Sequence, residues 1–224
     1  MNWPVITDNW LFFLIGAWPQ GPLGGLVQTS LLALGGGALA TVLGLAGGLA
    51  LWAGWGGALL RWGCEFLRAI PVLLLMFWCY FLLPIVFGLD VPGTWTVIVA
   101  LGLVSGAYLA YAVQAGLHAV PRGQWEAAQA SGMRRGQILR WIVLPQALRI
   151  IRPSWLNQWV TLVKDTSLAY IVGVADFTFV ANQVNSREQV YALEIFLFIG
   201  LVYWALCASL QWCGERYGRI AARD

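Results

Sequence analysis

Lys164 and Asp165 stand side by side in a segment, 153–174, that otherwise reads as a membrane span. A charge at the bilayer centre costs about 2.5–3.5 kcal/mol on the insertion scale, so such residues face a bundle interior or a watery path. Asn157, Thr161, Lys164, Asp165 and Leu168 follow steps of three and four, which puts the polar members on one helix face. Thr166 and Ser167 extend the polar run. Two readings stay open. These groups line a translocation path or its gate, or Lys164 and Asp165 satisfy each other or backbone groups at a helix break.

A second cluster lies upstream, between 118 and 152. After Pro121, the run Gln124-Trp125-Glu126-Ala127-Ala128-Gln129-Ala130-Ser131 is good helix material. Glu126 near its start suits the helix dipole. Gly132 ends the run, and a second helical stretch, Arg134 to Leu144, leads to Pro145. The expected shape is a short elbow projecting from the membrane. Ala127, Ala128 and Ser131 are expected to share one small-residue face against which a partner packs. The competing reading is an amphipathic loop held by its arginines to anionic lipid.

Other chemistry finds no support. There is no GxxxxGK[ST], so ATP is not hydrolysed by that route, and no HExxH or metal-spaced cluster. His118 has no evident triad partner. Cys64, Cys79, Cys207 and Cys213 form no CxxC and read as buried thiols. No cofactor and no nucleic acid are expected.

The elements that must position these residues are membrane helices. The chain has 224 residues, 60% of them hydrophobic and 10% charged, against about 25% charged in an ordinary soluble domain. A soluble enzyme and a disordered chain are both excluded. An all-α integral membrane protein of about five spans fits the length. Residues 1–25 read as an extracytoplasmic or interfacial segment in which Trp10 to Ala17 is too short to cross. Spans follow at roughly 26–53, 69–87, 95–117, 153–174 and 192–213, with a tail at 214–224. The first carries Gly36, Ala40, Gly44 and Gly48 at steps of four, a stripe that lets another helix approach closely.

Basic residues set the orientation. Arg61 and Arg68 follow the first span, and Arg122, Arg134, Arg135, Arg140, Arg149 and Arg152 follow the third. Arg216, Arg219 and Arg223 follow the fifth, while the opposite loops hold only Arg187. The positive-inside rule then puts the N-terminus outside and the C-terminus in the cytoplasm. Arg68, near the inner interface, reads as an anchor or a gate residue. Pro71 suits the first turn of a helix.

Several of these residues form a recognisable pattern. Glu126-Ala127-Ala128-x-x-x-Gly132, with Ile142-Val143-Leu144-Pro145-Gln146-Ala147-Leu148-Arg149 and Pro153, resembles the EAA loop of ABC-importer permease subunits. Asn157 and Lys164-Asp165-Thr166-Ser167-Leu168 extend the likeness to the polar-amino-acid branch, as does Phe66-x-Arg68-x-x-Pro71. Arg68-Ala69-Ile70-Pro71 and Ala175-Asp176-Phe177 look closest to glutamate/aspartate members. Where the family usually has Leu before the loop glycine, this chain has Ser131, which loosens hydrophobic docking or shifts it to Met133.

The resemblance implies a type I ABC-importer permease fold in a bacterial inner membrane. It implies two separate ATPase subunits, a second permease copy or paralogue, an extracytoplasmic solute-binding protein and a polar amino-acid substrate. It implies that Glu126, Ala127, Ala128, Gly132 and Met133 dock the ATPase. A stand-alone transporter or channel is the alternative, and it has no use for the elbow.

Overall fold

The structure is a computed structural model that describes residues 3–88 and 91–220, with side chains as far as Arg216. Arg223 and residues 89–90 therefore lie outside the described residues, as does the Arg219 side chain. Two short helices, α1 (Pro4–Asp8) and α2 (Trp10–Ile15), precede the long α3 (Gly25–Ala53). In the α2 segment Trp10 and Leu11 are exposed. Phe13 is buried, its ring set edge-on to Phe177 at 6.0 Å and Phe198 at 5.3 Å.

Gly54, in the left-handed region at φ +75°, ends α3, where the N–H of Trp55 reaches the carbonyl of Ala50. Next comes α4 (Gly57–Ala69), then α5 (Val72–Phe77), a π-helical turn (Trp78–Leu82) and α6 (Leu83–Phe87). The expected second span, 69–87, begins at the break between α4 and α5, which bends the chain by 104°. Pro71 sits at that break as the residue before α5, and its carbonyl accepts from Leu74 N and Leu75 N. The sequence reading missed α4. Arg61, Glu65 and Arg68 lie along its exposed face, while Cys64 turns inward.

The long α7 (Gly93–His118) forms the spine with α3. The small-residue stripe meets it directly. A Cβ on Gly36 would touch Leu101, one on Gly44 would overlap Leu109, and one on Gly48 would overlap Val113. Ala40 lies against Gly106 of α7. Interhelical approach this close needs glycine on at least one side.

After α7 the chain forms α8 (Arg122–Ala130), α9 (Arg135–Ile138), a second π turn (Leu139–Val143) and α10 (Leu144–Asp165). The stretch expected to lead to Pro145 runs on through it. Proline cannot donate to the carbonyl four residues back and its ring clashes there. The π turn shifts the pattern just before it, so that Leu144 N bonds Leu139 O and the helix continues. Pro84, two residues after the first π turn, is accommodated in the same way, with Leu83 N bonded to Trp78 O. The helix over the expected fourth span thus runs 144–165 as α-helix, through Pro153, and tightens into a 3₁₀ segment at Thr166–Val172. Then come α11 (Phe177–Glu188) and α12 (Ala192–Ile220).

By length and composition α3, α7 and residues 192–216 of α12 can each cross a membrane, and the bent pair from α4 to α6 makes a fourth if counted as one. The strongly polar α10 falls outside that set.

Candidate functional site

The polar face of α10 is where the sequence places it, and it is open. Pro153, Asn157, Thr161 and Lys164 are exposed, whereas Leu162 and Val163 are buried in the core with α3 and α7. On the inner side, Trp155 and Trp159 both donate their indole N–H to Thr41 Oγ1, at 3.2 and 3.3 Å. Gly37 leaves the room that the Trp159 ring occupies. These bonds fix the rotation of α10, and so fix which face looks outward. Lys164 is exposed and Asp165 half-buried, their side chains about 100° apart around the helix.

The helix does break at this motif. Thr166, fully buried, donates its hydroxyl to Val163 O at 2.6 Å, and Ser167 donates to Lys164 O at 2.7 Å. Both take up carbonyls that a tightening helix end leaves short of partners. Thr161 donates to Asn157 O at 3.0 Å. Thr166 and Ser167 therefore shape the break, while Asn157 and Lys164 carry side chains on the open face.

The elbow is built on a small core of its own. Ala128 is buried with Val120, Ile138, Val143 and Ala147, and Met133 packs against them half-buried. The expected shared face of Ala127, Ala128 and Ser131 is therefore divided. Ala128 faces inward, while Ala127 and Ser131 are exposed with Glu126. Ser131 donates its hydroxyl to Ala127 O at 3.0 Å. Gly132 takes φ +77°, a conformation L side chains rarely adopt, and a Cβ there would meet nothing within 4 Å in this chain. The glycine is needed for the turn, and the space around it is open. Trp125 stacks on Trp52 at 5.7 Å, tying the elbow to the end of α3.

Arg68 lies apart from both regions in the sequence and is clamped onto α7. Its guanidinium sits 4.5 Å from the Tyr111 ring centre and 5.0 Å from that of Tyr108. Tyr108 donates its hydroxyl to the Arg68 carbonyl at 3.2 Å, and Tyr111 donates to the Glu65 carboxylate at 3.0 Å. Cation–π contacts of this kind contribute about 0.5–1 kcal/mol each at exposed sites. Sequence reasoning missed both tyrosines, because nothing local marks a partner forty residues away.

It also missed α11 and its cap. Asp176 is fully buried. Its carboxylate accepts from Phe179 N at 2.9 Å and Thr178 N at 3.1 Å, and Tyr203 donates to it at 3.5 Å. Burial pushes its pKa up to about 6 despite those bonds. An aspartate just before a helical run is the signal that could have found it. The adjacent backbone holds α3, since Gly25 N donates to Ala175 O and Phe177 N donates to Thr29 Oγ1, both at 2.9 Å. Asp176 is a structural cap in this fold. Cys213, expected to be buried, is exposed.

Comparison with known proteins agrees with this architecture. Residues 36–219 match the family described as "Binding-protein-dependent transport system inner membrane component". The chain is 38% identical over 147 residues to the probable glutamine ABC transporter permease protein GlnM of Bacillus subtilis (strain 168), covering 66% of this chain and 67% of that one. It is 35% identical over 149 residues to the glutamate/aspartate import permease protein GltK of Escherichia coli O157:H7, covering 63% and 66%. Among solved structures, one titled "Crystal structure of an amino acid ABC transporter with histidines" superposes with a TM-score of 0.84 at 24% identity, over 98% of both chains. At that identity the likeness is one of fold, the type I importer permease fold. The chain belongs to the binding-protein-dependent transport system inner membrane components, the non-catalytic, multi-pass permease subunits of bacterial ABC importers.

Proposed function

We propose that this chain is the translocation subunit for a polar amino acid, and that its α8–α9 elbow receives the stroke of a separate ATPase. The observation that carries the proposal is mechanical. A helix of about 33 Å, at 1.5 Å per residue, joins the elbow to the break at Lys164–Asp165. The elbow's core residues Val143, Ala147 and Ile151 lead into that helix. A displacement of the elbow therefore tilts the polar face as one body, a hinge or shear motion between inward-open and outward-open states.

Glu126, Ala127, Ser131 and Gly132 form the docking surface, with Ala128 and Met133 holding it from beneath. The open face of Asn157, Thr161 and Lys164 lines the path. An exposed ammonium facing hydrocarbon is costly, so a second permease copy or paralogue, or water between the two, covers it. Arg68 anchors α4 to α7 beside that assembly. The basic residues on the elbow side put it in the cytoplasm, the C-terminus with it and the N-terminus outside. Two ATPases and an extracytoplasmic binding protein complete the importer. The relatives named above include permeases for glutamine and for glutamate/aspartate, and Arg68-Ala69-Ile70-Pro71 leans the substrate toward the acidic pair.

The test is Gly132→Arg. The variant should insert at wild-type abundance yet lose ATP hydrolysis stimulated by the binding protein in proteoliposomes. Normal uptake by that variant would end the docking proposal.

A further inference from the structure

Behind α10, on the side away from the open polar face, lies a cavity of about 530 Å³ walled by α3, α7, α10 and α12. Its lining includes Leu45, Leu109, Val113, Ile151, Trp155 and Leu210. The volume is in the roughly 300–1,000 Å³ range of small-molecule sites. The polar groups deep in it are already engaged. Thr41 donates to Gly37 O at 2.7 Å and accepts from both indoles. A polar amino acid would lose its water there with no free hydrogen-bonding partner deep in the slot to replace it. At about 100° per residue, Ile151 and Trp155 lie opposite Asn157, Thr161 and Lys164 around α10. The slot is therefore separate from the proposed path, and only the recess at its mouth reaches the edge of that face, at Pro153 and Asn157.

The mouth has the opposite character. Arg152 lines the cavity and also an adjoining recess of about 330 Å³, where it is joined by Arg149, Gln211 and Glu215. Leu156 and Gly214 form the wall shared by the two. A Cβ at Gly214 would overlap the Leu156 side chain, so this glycine is what lets α12 come close enough to close the wall. Two guanidiniums against one carboxylate leave the recess net positive. An apolar slot that ends at a cationic mouth, on the side of the protein where the arginines collect, matches one kind of molecule.

We propose that the slot and recess bind an anionic glycerophospholipid of the adjacent leaflet, with an acyl chain between α3, α7, α10 and α12 and the phosphate at Arg149 and Arg152. The slot's apolar walls offer an acyl chain a surface as nonpolar as the surrounding lipid, and Arg matches phosphate oxygens with two parallel N–H donors, so the head group supplies the preference. Bound there, the lipid fills the back of α10 and supports the helix that carries the elbow's motion.

The test is native mass spectrometry of the full-length chain in an uncharged detergent, titrated with phosphatidylglycerol, phosphatidylcholine of the same chains, and soluble glycerol 3-phosphate. The expected result is a one-to-one phosphatidylglycerol adduct preferred at least tenfold over phosphatidylcholine, with no glycerol 3-phosphate adduct. Arg149→Gln with Arg152→Gln should bring the two lipids to near parity, and Leu45→Trp should remove both adducts by filling the slot. If Leu45→Trp fails to fold, a photoreactive acyl-chain phosphatidylglycerol on the wild-type protein serves instead, and it should label slot peptides of α3, α7, α10 or α12. Equal retention of both lipids, a preference that survives the double arginine change, glycerol 3-phosphate binding as strongly as lipid, or labelling confined to other peptides would each overturn the proposal.

Discussion

The seam between α3 and α7 and the outer face of α10 are both helix surfaces in one small protein, and they are finished to different degrees. In the seam, glycines at steps of four sit against Leu101, Leu109 and Val113 with no room for a methyl group at two of the contacts. Its side chains are satisfied within the chain. On α10 the inward face is as closely fitted, with two indoles on one threonine hydroxyl, but the outward face leaves Asn157, Thr161 and Lys164 exposed. The seam is a foundation. The α10 face is half of something, and its missing half is water, substrate or a second subunit.

The largest effect is expected at the seam. Gly44→Leu forces a branched side chain into the Leu109 Cβ, and overpacking of this kind costs about 1–3 kcal/mol or more. With close packing as the main force between helices in lipid, the variant should show little or no monodisperse protein by size-exclusion chromatography. Gly200→Ala on α12, where a Cβ meets nothing within 4 Å, is the matched control and should purify normally. Equal yields would show that the seam is not what holds the bundle.

That seam was legible in the sequence because it is periodic. A charge-free stretch with small residues four apart specifies a helix and its contact face before any partner is known. The polar stripe on α10 was legible for the same reason. What escaped was whatever depends on a distant partner or on one local adjustment. The π turns before Pro84 and Pro145 leave no compositional trace, so the unbroken run from Arg135 to Asp165 could not be read. Ala128 could be placed on a helix but not turned inward, because its core neighbours Ile138 and Val143 come from the next segment. The amphipathic α4 was hidden by its mixture of glycine, tryptophan and arginine, which also describes an interfacial loop.

Next in size is the outer face itself. Lys164→Met and Asp165→Asn should each lower uptake in reconstituted transporter at least tenfold while leaving abundance and seam packing unchanged. Loss of protein from the membrane instead would assign the pair to folding and erase the contrast between the two regions.

A smaller effect belongs to Asp176, the cap that ties α11 to the start of α3. Its carboxyl titrates near 6 in the folded chain against about 3.9 unfolded. The folded state thus holds the proton more tightly, and stability must fall as pH rises from about 4 through 6 and then level off. Between pH 5 and 7.5 the change is about 1 kcal/mol. The wild-type protein should survive heating better at pH 5 than at pH 7.5. Asp176→Asn should lose that share of the dependence, measured as the monodisperse fraction left after a heat step. An unchanged pH slope in Asp176→Asn would place the titration elsewhere.

The finest distinction lies within the α10 face. The Thr161 hydroxyl donates to the Asn157 carbonyl, so only its acceptor capacity faces outward. Asn157 has both donors and an acceptor in its amide and lines the recess beside Arg149. Thr161→Val removes a hydrogen bond whose net worth is about 1 kcal/mol or less and keeps the helix and its shape. Asn157→Ala removes polar groups that no backbone bond occupies. If the face works by offering hydrogen bonds to a passing solute, Asn157→Ala should raise the KM for uptake while Thr161→Val leaves it near wild type. If the two variants behave alike, the face acts through shape and hydration, and the ammonium of Lys164 becomes the group that sets what passes.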